Sequence, residues 1–91
     1  MRFVAEFHTV FGLTLPNAYI ALRQPVGGRD QIWAEADIYV SEEVFGAAPP
    51  IEQRTIEFAP QLGEGAPPIM EQALALFMAK PEFSGAVVVD G

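Results

Sequence analysis

Cysteine is absent from the 91-residue chain, and histidine occurs only once, as His8. Without cysteine the chain has neither disulfides nor a thiolate metal site, which fits a reducing compartment without establishing one. A zinc site is also disfavoured, because carboxylates alone rarely build one. We therefore expect no bound metal ion.

Positive charge is scarce. Lysine and arginine total 5 residues against 12 aspartates and glutamates, which gives a net charge of −7. Binding to nucleic acid normally requires a basic face, and binding to an anionic membrane is disfavoured for the same reason. The segment 1–11 has no basic region followed by a long apolar run, so it is not a signal peptide. We expect neither nucleic acid nor membrane as a partner.

Residue groups typical of catalysis are also missing. Glu35 and Asp37 lie two positions apart, as an acid–base pair would on one strand face, but no histidine, lysine or metal partner is evident. His8 has no serine or cysteine placed to act as its nucleophile. These residues are more typical of a solvated strand face and a structural histidine. The sequence predicts no enzyme and no catalytic residues.

Two short segments have only a superficial likeness to ligand-binding loops. Glu42 and Glu43 do not belong to a loop with the oxygen-ligand spacing of a calcium site. Residues 26–29, VGGR, lack the Lys-Ser/Thr of a phosphate-binding loop and precede a strand instead of a helix. We interpret them as a solvated turn and a hairpin, and expect no cofactor.

Apolar residues are abundant, at 51% of the chain, and eight prolines and eight glycines interrupt them. The length predicts one domain covering residues 1–91. A domain of this size buries only about two-thirds of the surface that its unfolded chain exposes. We therefore expect part of the apolar content to form surface for partners.

The clearest element is a helix from Pro67 to Lys80. Proline is tolerated in the first helical turn, and Pro81 disfavours continuation beyond Lys80. Apolar residues follow helical spacing but extend almost all round, so we expect cover on more than one side. Leu76 and Met78 are the residues predicted to contact a second subunit on the outer side.

Alternating and apolar segments predict strands around this helix. They lie at residues 2–10, 18–24, 31–41, 51–59 and 86–90, and the first is expected at a sheet edge. The order β-β-β-β-α-β predicts an α+β fold. It is a mostly antiparallel sheet of four to five strands with one C-terminal helix packed on one face. The segment 86–89, or the first strand, could be completed by a neighbouring molecule.

Three aromatic residues stand out on the predicted sheet. If the second and third strands pair, Tyr19, Trp33 and Tyr39 lie on the face opposite the core. Exposed tyrosine and tryptophan dominate binding hot spots, so these residues form a predicted partner interface. The alternative is that loops of the same chain cover them.

Two segments of the chain resemble small proteins encoded among the tail genes of tailed bacteriophages. Residues 14–20, TLPNAYI, are similar to their LP-x-A-Y strand start, and residues 71–86 to a QA helix followed by K-x-PEF-x-GA. Here Lys80 is followed directly by Pro81, so the spacing of the ending differs from that pattern. The resemblance implies a virion structural protein, assembled in the host cytoplasm, and carries no functional residues with it.

Several functions therefore remain open. The first is a tail-tip or baseplate protein that repeats around the tail axis and attaches tail fibres or receptor-binding proteins. The second is a head-side virion protein that decorates the capsid or lies at the neck. The third is a small cytoplasmic dimer or module that holds an apolar ligand between sheet and helix. In the first two the partners are other virion proteins and further copies of the chain in a symmetric assembly.

Overall fold

A computed structural model describes residues 1–89 and contains six strands, one α-helix and one 3₁₀ turn within that range. The strands are β1 Arg2–His8, β2 Thr14–Leu22, β3 Val26–Gly27, β4 Ile32–Tyr39, β5 Glu52–Phe58 and β6 Phe83–Val89. The helix α1 spans Ile69–Met78, and the 3₁₀ turn spans Glu42–Val44.

All the strands belong to one antiparallel sheet. β5 pairs with β4 from Ile32 to Ile38, so β2 and the short β3 share the other side of β4. Beyond β2 lie β1 and then β6, which gives the order β5-β4-β2-β1-β6 with β3 beside the start of β4. The predicted α+β class and mostly antiparallel sheet are confirmed. The sixth strand, β3, comes from the segment that we expected to be only a hairpin loop.

The sequence predicted that the first strand lies at a sheet edge, and this prediction is wrong. β1 lies between β2 and β6, and its residues Phe3, Ala5 and Phe7 are buried. β6 begins at Phe83, three residues before the predicted start, and pairs with the outer side of β1 from Arg2 to Phe7. The ring of Phe83 packs against those of Phe3 and Phe7, with centroids 5.3 and 5.1 Å apart. The predicted end of this strand, Asp90, lies outside the described residues.

The second strand also begins earlier than expected, because it includes a proline. Thr14 and Leu15 pair with His8 and Phe7, and the register then shifts before Ala18 pairs with Ala5. Pro16 falls inside this irregularity, where its missing N–H does not interrupt a regular ladder.

The helix covers one face of the sheet with its residues Ala73, Leu74 and Phe77, which are buried. It begins after Pro68 and ends two residues before the predicted limit, so that Lys80 lies beyond its last turn. The core combines this face with the inward residues of five strands. They are Phe3, Ala5, Phe7, Ala18, Ile20, Leu22, Ala34, Ala36, Ile38, Ile56 and Phe83.

An ion-pair group joins the two edges of the sheet. Arg54 of β5 has Nη2 2.9 Å from Oε2 of Glu52 and Nη1 3.7 Å from Oε2 of Glu82, next to β6. Its guanidinium carbon also lies 5.4 Å from the centroid of the Phe7 ring. Because β5 and β6 are opposite edges in the strand order, these contacts require the sheet to curl. Arg54 therefore closes part of the core that the helix does not reach.

We expect Arg54→Met to lower the free energy of unfolding by about 1–3 kcal/mol, because it leaves two partly buried carboxylates without their cation. Urea unfolding followed by circular dichroism measures the loss. The control is Arg29→Met, which removes the same charge from the exposed hairpin and should change the free energy by less than about 0.5 kcal/mol. Equal effects of the two substitutions would contradict the role of Arg54.

The β3–β4 hairpin generates a second prediction. Gly27 has φ of 141°, and a Cβ there would clash with the backbone carbonyl oxygen of Gln31, whereas a Cβ on Gly28 meets nothing within 4 Å. Gly27→Ala should therefore destabilise the fold by about 1–3 kcal/mol, while Gly28→Ala stays within about 0.5 kcal/mol of the parent. Thermal unfolding of the two variants side by side tests this, and similar melting temperatures would refute it.

Candidate interaction surfaces

The sheet face opposite the helix carries a polar cluster centred on Asp37. The residue is 9% exposed, and its carboxylate accepts hydrogen bonds from Nε of Arg23 at 3.0 Å and from Nε2 of Gln53 at 2.8 Å. Arg23 also lies 3.8 Å from Glu35. The hydrogen bond to Asp37 raises the pKa of Arg23 above its usual value, and the charge of the same carboxylate adds to this. The two carboxylate oxygens of Asp37 thus link β4 to Arg23, which directly follows β2, and to Gln53 of β5.

Tyr19 and Tyr39 face each other across β2 and β4 on this same face, as the sequence predicted. The ring of Phe45, just after the 3₁₀ turn, packs against both, with centroids 5.2 and 5.1 Å away. The guanidinium of Arg2 lies 4.5 Å from the centroid of Phe45 and donates to the hydroxyl of Tyr19. Tyr19 is only 2% exposed and Tyr39 is half-buried. For Tyr19 the structure therefore shows the alternative that the sequence left open, because Phe45 of the same chain covers it.

Trp33 remains accessible, with 43% of its surface exposed. It pairs with Val26 of β3 on one side and with Glu57 of β5 on the other. Tyr39 lies six positions further along β4, which corresponds to about 20 Å. The Asp37 cluster lies between them, so the three predicted aromatic residues do not form one continuous surface.

The two predicted helix residues also differ from each other. Leu76 is exposed, whereas Met78 is partly buried and packs against the core. Leu76 lines a groove of ≈ 340 Å³ between the helix and the end of β5. The lining residues are Phe58, Ala59, Gln61, Pro67, Glu71, Gln72, Ala75 and Leu76.

Gln72 holds the wall of this groove in place. Its Oε1 accepts from the backbone N–H of Gln61 at 2.8 Å, and its Nε2 donates to the carbonyl oxygens of Gln61 and Pro67 at 3.1 and 2.8 Å. Sequence reasoning missed this role. A glutamine among apolar residues in the first turns of the helix was the available signal.

The connection between β1 and β2 forms an apolar tip, defined here as Val10, Phe11, Gly12 and Leu13. Its three large side chains are exposed, Phe11 most of all at 82%. The hydroxyl of Thr9 accepts from the backbone N–H groups of Phe11 and Leu13 at 3.3 and 3.1 Å. The backbone of Thr9 donates to Leu13 and accepts from Gly12. The sequence predicted Val10 as the end of the first strand and no element at residues 11–13, although an uncharged turn with three large apolar residues already indicated more.

The edge of β6 is the second exposed apolar feature. The sequence predicted only that the segment 86–89 could be completed by a neighbouring molecule. Within residues 1–89, β6 pairs with β1 alone. Val87 and Val88 are exposed, and residues 84–89 carry no charge. An all-apolar strand was expected to be buried on both faces or to pair with another chain. Burial on both faces is not what the structure shows.

The remaining candidate groups make local contacts. His8 lies on the surface, where Nδ1 is 3.1 Å from the hydroxyl of Thr14 and Nε2 is 3.5 Å from Glu6. Among residues 1–89 no group of three or more His, Asp or Glu side chains is arranged to hold a metal ion. No helix in that range has both the length and the apolar character needed to cross a membrane.

Comparison with protein-family models, with curated proteins and with solved structures gives no match to this chain.

The cover over Tyr19 generates a testable prediction. We expect Phe45→Ala to destabilise the fold by about 1–3 kcal/mol, because it uncovers Tyr19 and Tyr39 and removes two aromatic contacts. Phe11→Ala, which truncates the same side chain at the exposed tip, should cost less than about 0.5 kcal/mol. Equilibrium unfolding in urea measures both. A neutral Phe45→Ala would show that Phe45 does not hold the 3₁₀ segment on the sheet.

Proposed function

We propose that this chain is a structural protein of a bacteriophage virion, at the tail tip or baseplate. There it attaches tail fibres or receptor-binding proteins through repeated protein–protein contacts. The observation that carries the proposal is the apolar tip, because an ordered and exposed apolar loop is typical of a docking element. Its partners are other virion proteins, and it acts as one of several copies in a symmetric assembly.

The tip is already fixed in one conformation before any partner binds. Four hydrogen bonds between Thr9 and residues 11–13 hold it; Thr9 accepts two through its hydroxyl and one through its carbonyl oxygen, and donates one from its backbone N–H. A loop that is ordered beforehand loses little conformational entropy on binding, so more of the apolar contact contributes to affinity. Phe11 is the residue type that anchors such contacts in a pocket of the partner.

A protein partner suits the tip better than a lipid surface. The chain has a net charge of −7, and Glu52 lies beside the tip, with Oε1 3.4 Å from the backbone N of Val10. Anionic headgroups would repel such a surface.

The phage setting comes from the resemblance of residues 14–20 and 71–86. Residues 14–20 form the part of β2 that directly follows the tip, and residues 71–86 run through α1 into β6. The similar segments thus lie in elements that support the tip and the sheet edge. They supply architecture without chemistry, as expected of a virion component.

One alternative has an observation of its own. The groove beside Leu76 has ≈ 340 Å³ of space, and a closed apolar cavity of about 150 Å³ already holds benzene. A small module that binds an apolar ligand would use this groove between sheet and helix. The head-side virion reading differs from the main proposal only in location.

The tip proposal predicts a specific effect of Phe11→Asp. In a phage whose genome encodes this chain, virions made with Phe11→Asp should contain at least tenfold less of the protein, because a carboxylate cannot enter an apolar pocket without a large desolvation cost. Quantitative mass spectrometry of purified virions measures this. Leu62→Asp is the matched control, since Leu62 is exposed in another loop and receives the same charge; its content should be unchanged.

The unmodified protein decides between the alternatives. Its absence from purified virions would overturn the virion proposal, and saturable binding of an apolar fluorescent dye, lost in Leu76→Asp, would then support the ligand-binding module. Its presence in separated heads and absence from tails would replace the tail assignment with the head-side one.

A further inference from the structure

We propose that two copies of this chain pair through the free edge of β6. The two strands run antiparallel about a two-fold axis, so that the sheets join into one. This inference goes beyond the virion proposal and does not use the apolar tip.

Within residues 1–89, the backbone of β6 is paired on one side only. One side of this strand bonds to β1, with Val89, Val88 and Val87 opposite Arg2, Phe3 and Val4. Its other side has no strand partner within residues 1–89. An open strand edge presents alternating N–H and C=O groups that another strand can satisfy. The register shift around Gly85 leaves Val87–Val89 as the regularly paired part of the strand.

The two edges of the sheet differ in charge. β5 includes three charged residues, Glu52, Arg54 and Glu57, whereas β6 includes none. Charged residues on an edge strand discourage pairing with other molecules. One edge of this sheet is therefore protected in the usual way, and the other is not.

The absence of charge on β6 favours a second copy of the chain as its partner. A two-fold axis places a strand opposite its own copy, so any charged residue near the axis would face the same charge. Residues 84–89 are free of charge in a chain whose net charge is −7. A different protein that binds so acidic a chain would be expected to carry basic residues, and these would pair with acidic residues of this chain along the contact. An uncharged edge instead suits self-pairing.

The side chains of β6 also contribute apolar area on both faces. Val88 shares the face of Phe3, on the helix side, and Val87 shares the face of Val4. Both valines are exposed, Val87 by 62%. Pairing of two β6 strands would cover Val87 on one face and Val88 on the other. The contact is short, so the dimer should be weak and should depend on protein concentration.

The absence of cysteine makes a direct test possible. The single-cysteine variants Val87→Cys and Val88→Cys are each exposed to an oxidant. A disulfide between two copies would indicate a two-fold contact, because such a contact brings a residue near its own copy. At least one should give a disulfide-linked dimer in high yield. Val26→Cys is the control, since Val26 is similarly exposed at 63% but lies on β3. Equal cross-linking of Val26→Cys, or none at either β6 position, would overturn the proposal.

A charge substitution tests the affinity of the same contact. Sedimentation velocity over a concentration series should show reversible dimers of the unmodified chain. Val87→Lys should raise their dissociation constant at least tenfold, while Thr55→Lys on β5 leaves it unchanged. Circular dichroism confirms that both variants are folded. A concentration-independent monomer refutes the proposal, and equal weakening by both substitutions replaces it with head-to-tail contact between β6 and β5. Neither result bears on whether the protein is found in virions.

Discussion

The core face of this sheet is larger than the single helix that covers it. Ten residues of helix span about 15 Å. Five adjacent strands span roughly 19 Å between the outermost axes, and strands of this length run about 23–30 Å. The sheet can bury such a face only by curling. The curl brings Arg54 on one edge against Glu82 and Phe7 near the other. That closure explains why a charged residue lies on the core face, and why the phenylalanine cluster of β1 and β6 sits beside it.

Several elements could be predicted from the sequence because they depend on local pattern. The strict alternation of β4 set its register, and Ile56 and Phe58 share a face of β5 as expected. The prolines around α1 bounded it within two residues. The interior position of β1 could not be predicted, because it depends on which distant strand pairs with it. The decisive residue is Phe83, whose ring meets two others from β1 only after the chain has crossed the sheet.

The candidate surfaces show the same division between local and distant information. Alternation correctly places Tyr19 on the outer face, but it left open whether another part of the chain lies above that face. Phe45 covers it from a segment 26 positions later in the chain. The apolar tip was overlooked for the opposite reason. Hydrogen bonds of a single threonine, through its hydroxyl and its backbone, hold the tip, and no hydrophobic pattern reveals them.

The position of the tip relative to β6 has a geometric consequence. The backbone N–H of His8 donates to the carbonyl oxygen of Glu82 at 3.0 Å, so the tip stands next to the start of β6. In an antiparallel pair of β6 strands, those two starts lie at opposite ends of the contact. The two tips would then point away from each other. Such a pair could bridge two separate partners but could not grip one flat partner with both tips. Any gain from bivalency would therefore require binding sites on both sides of it.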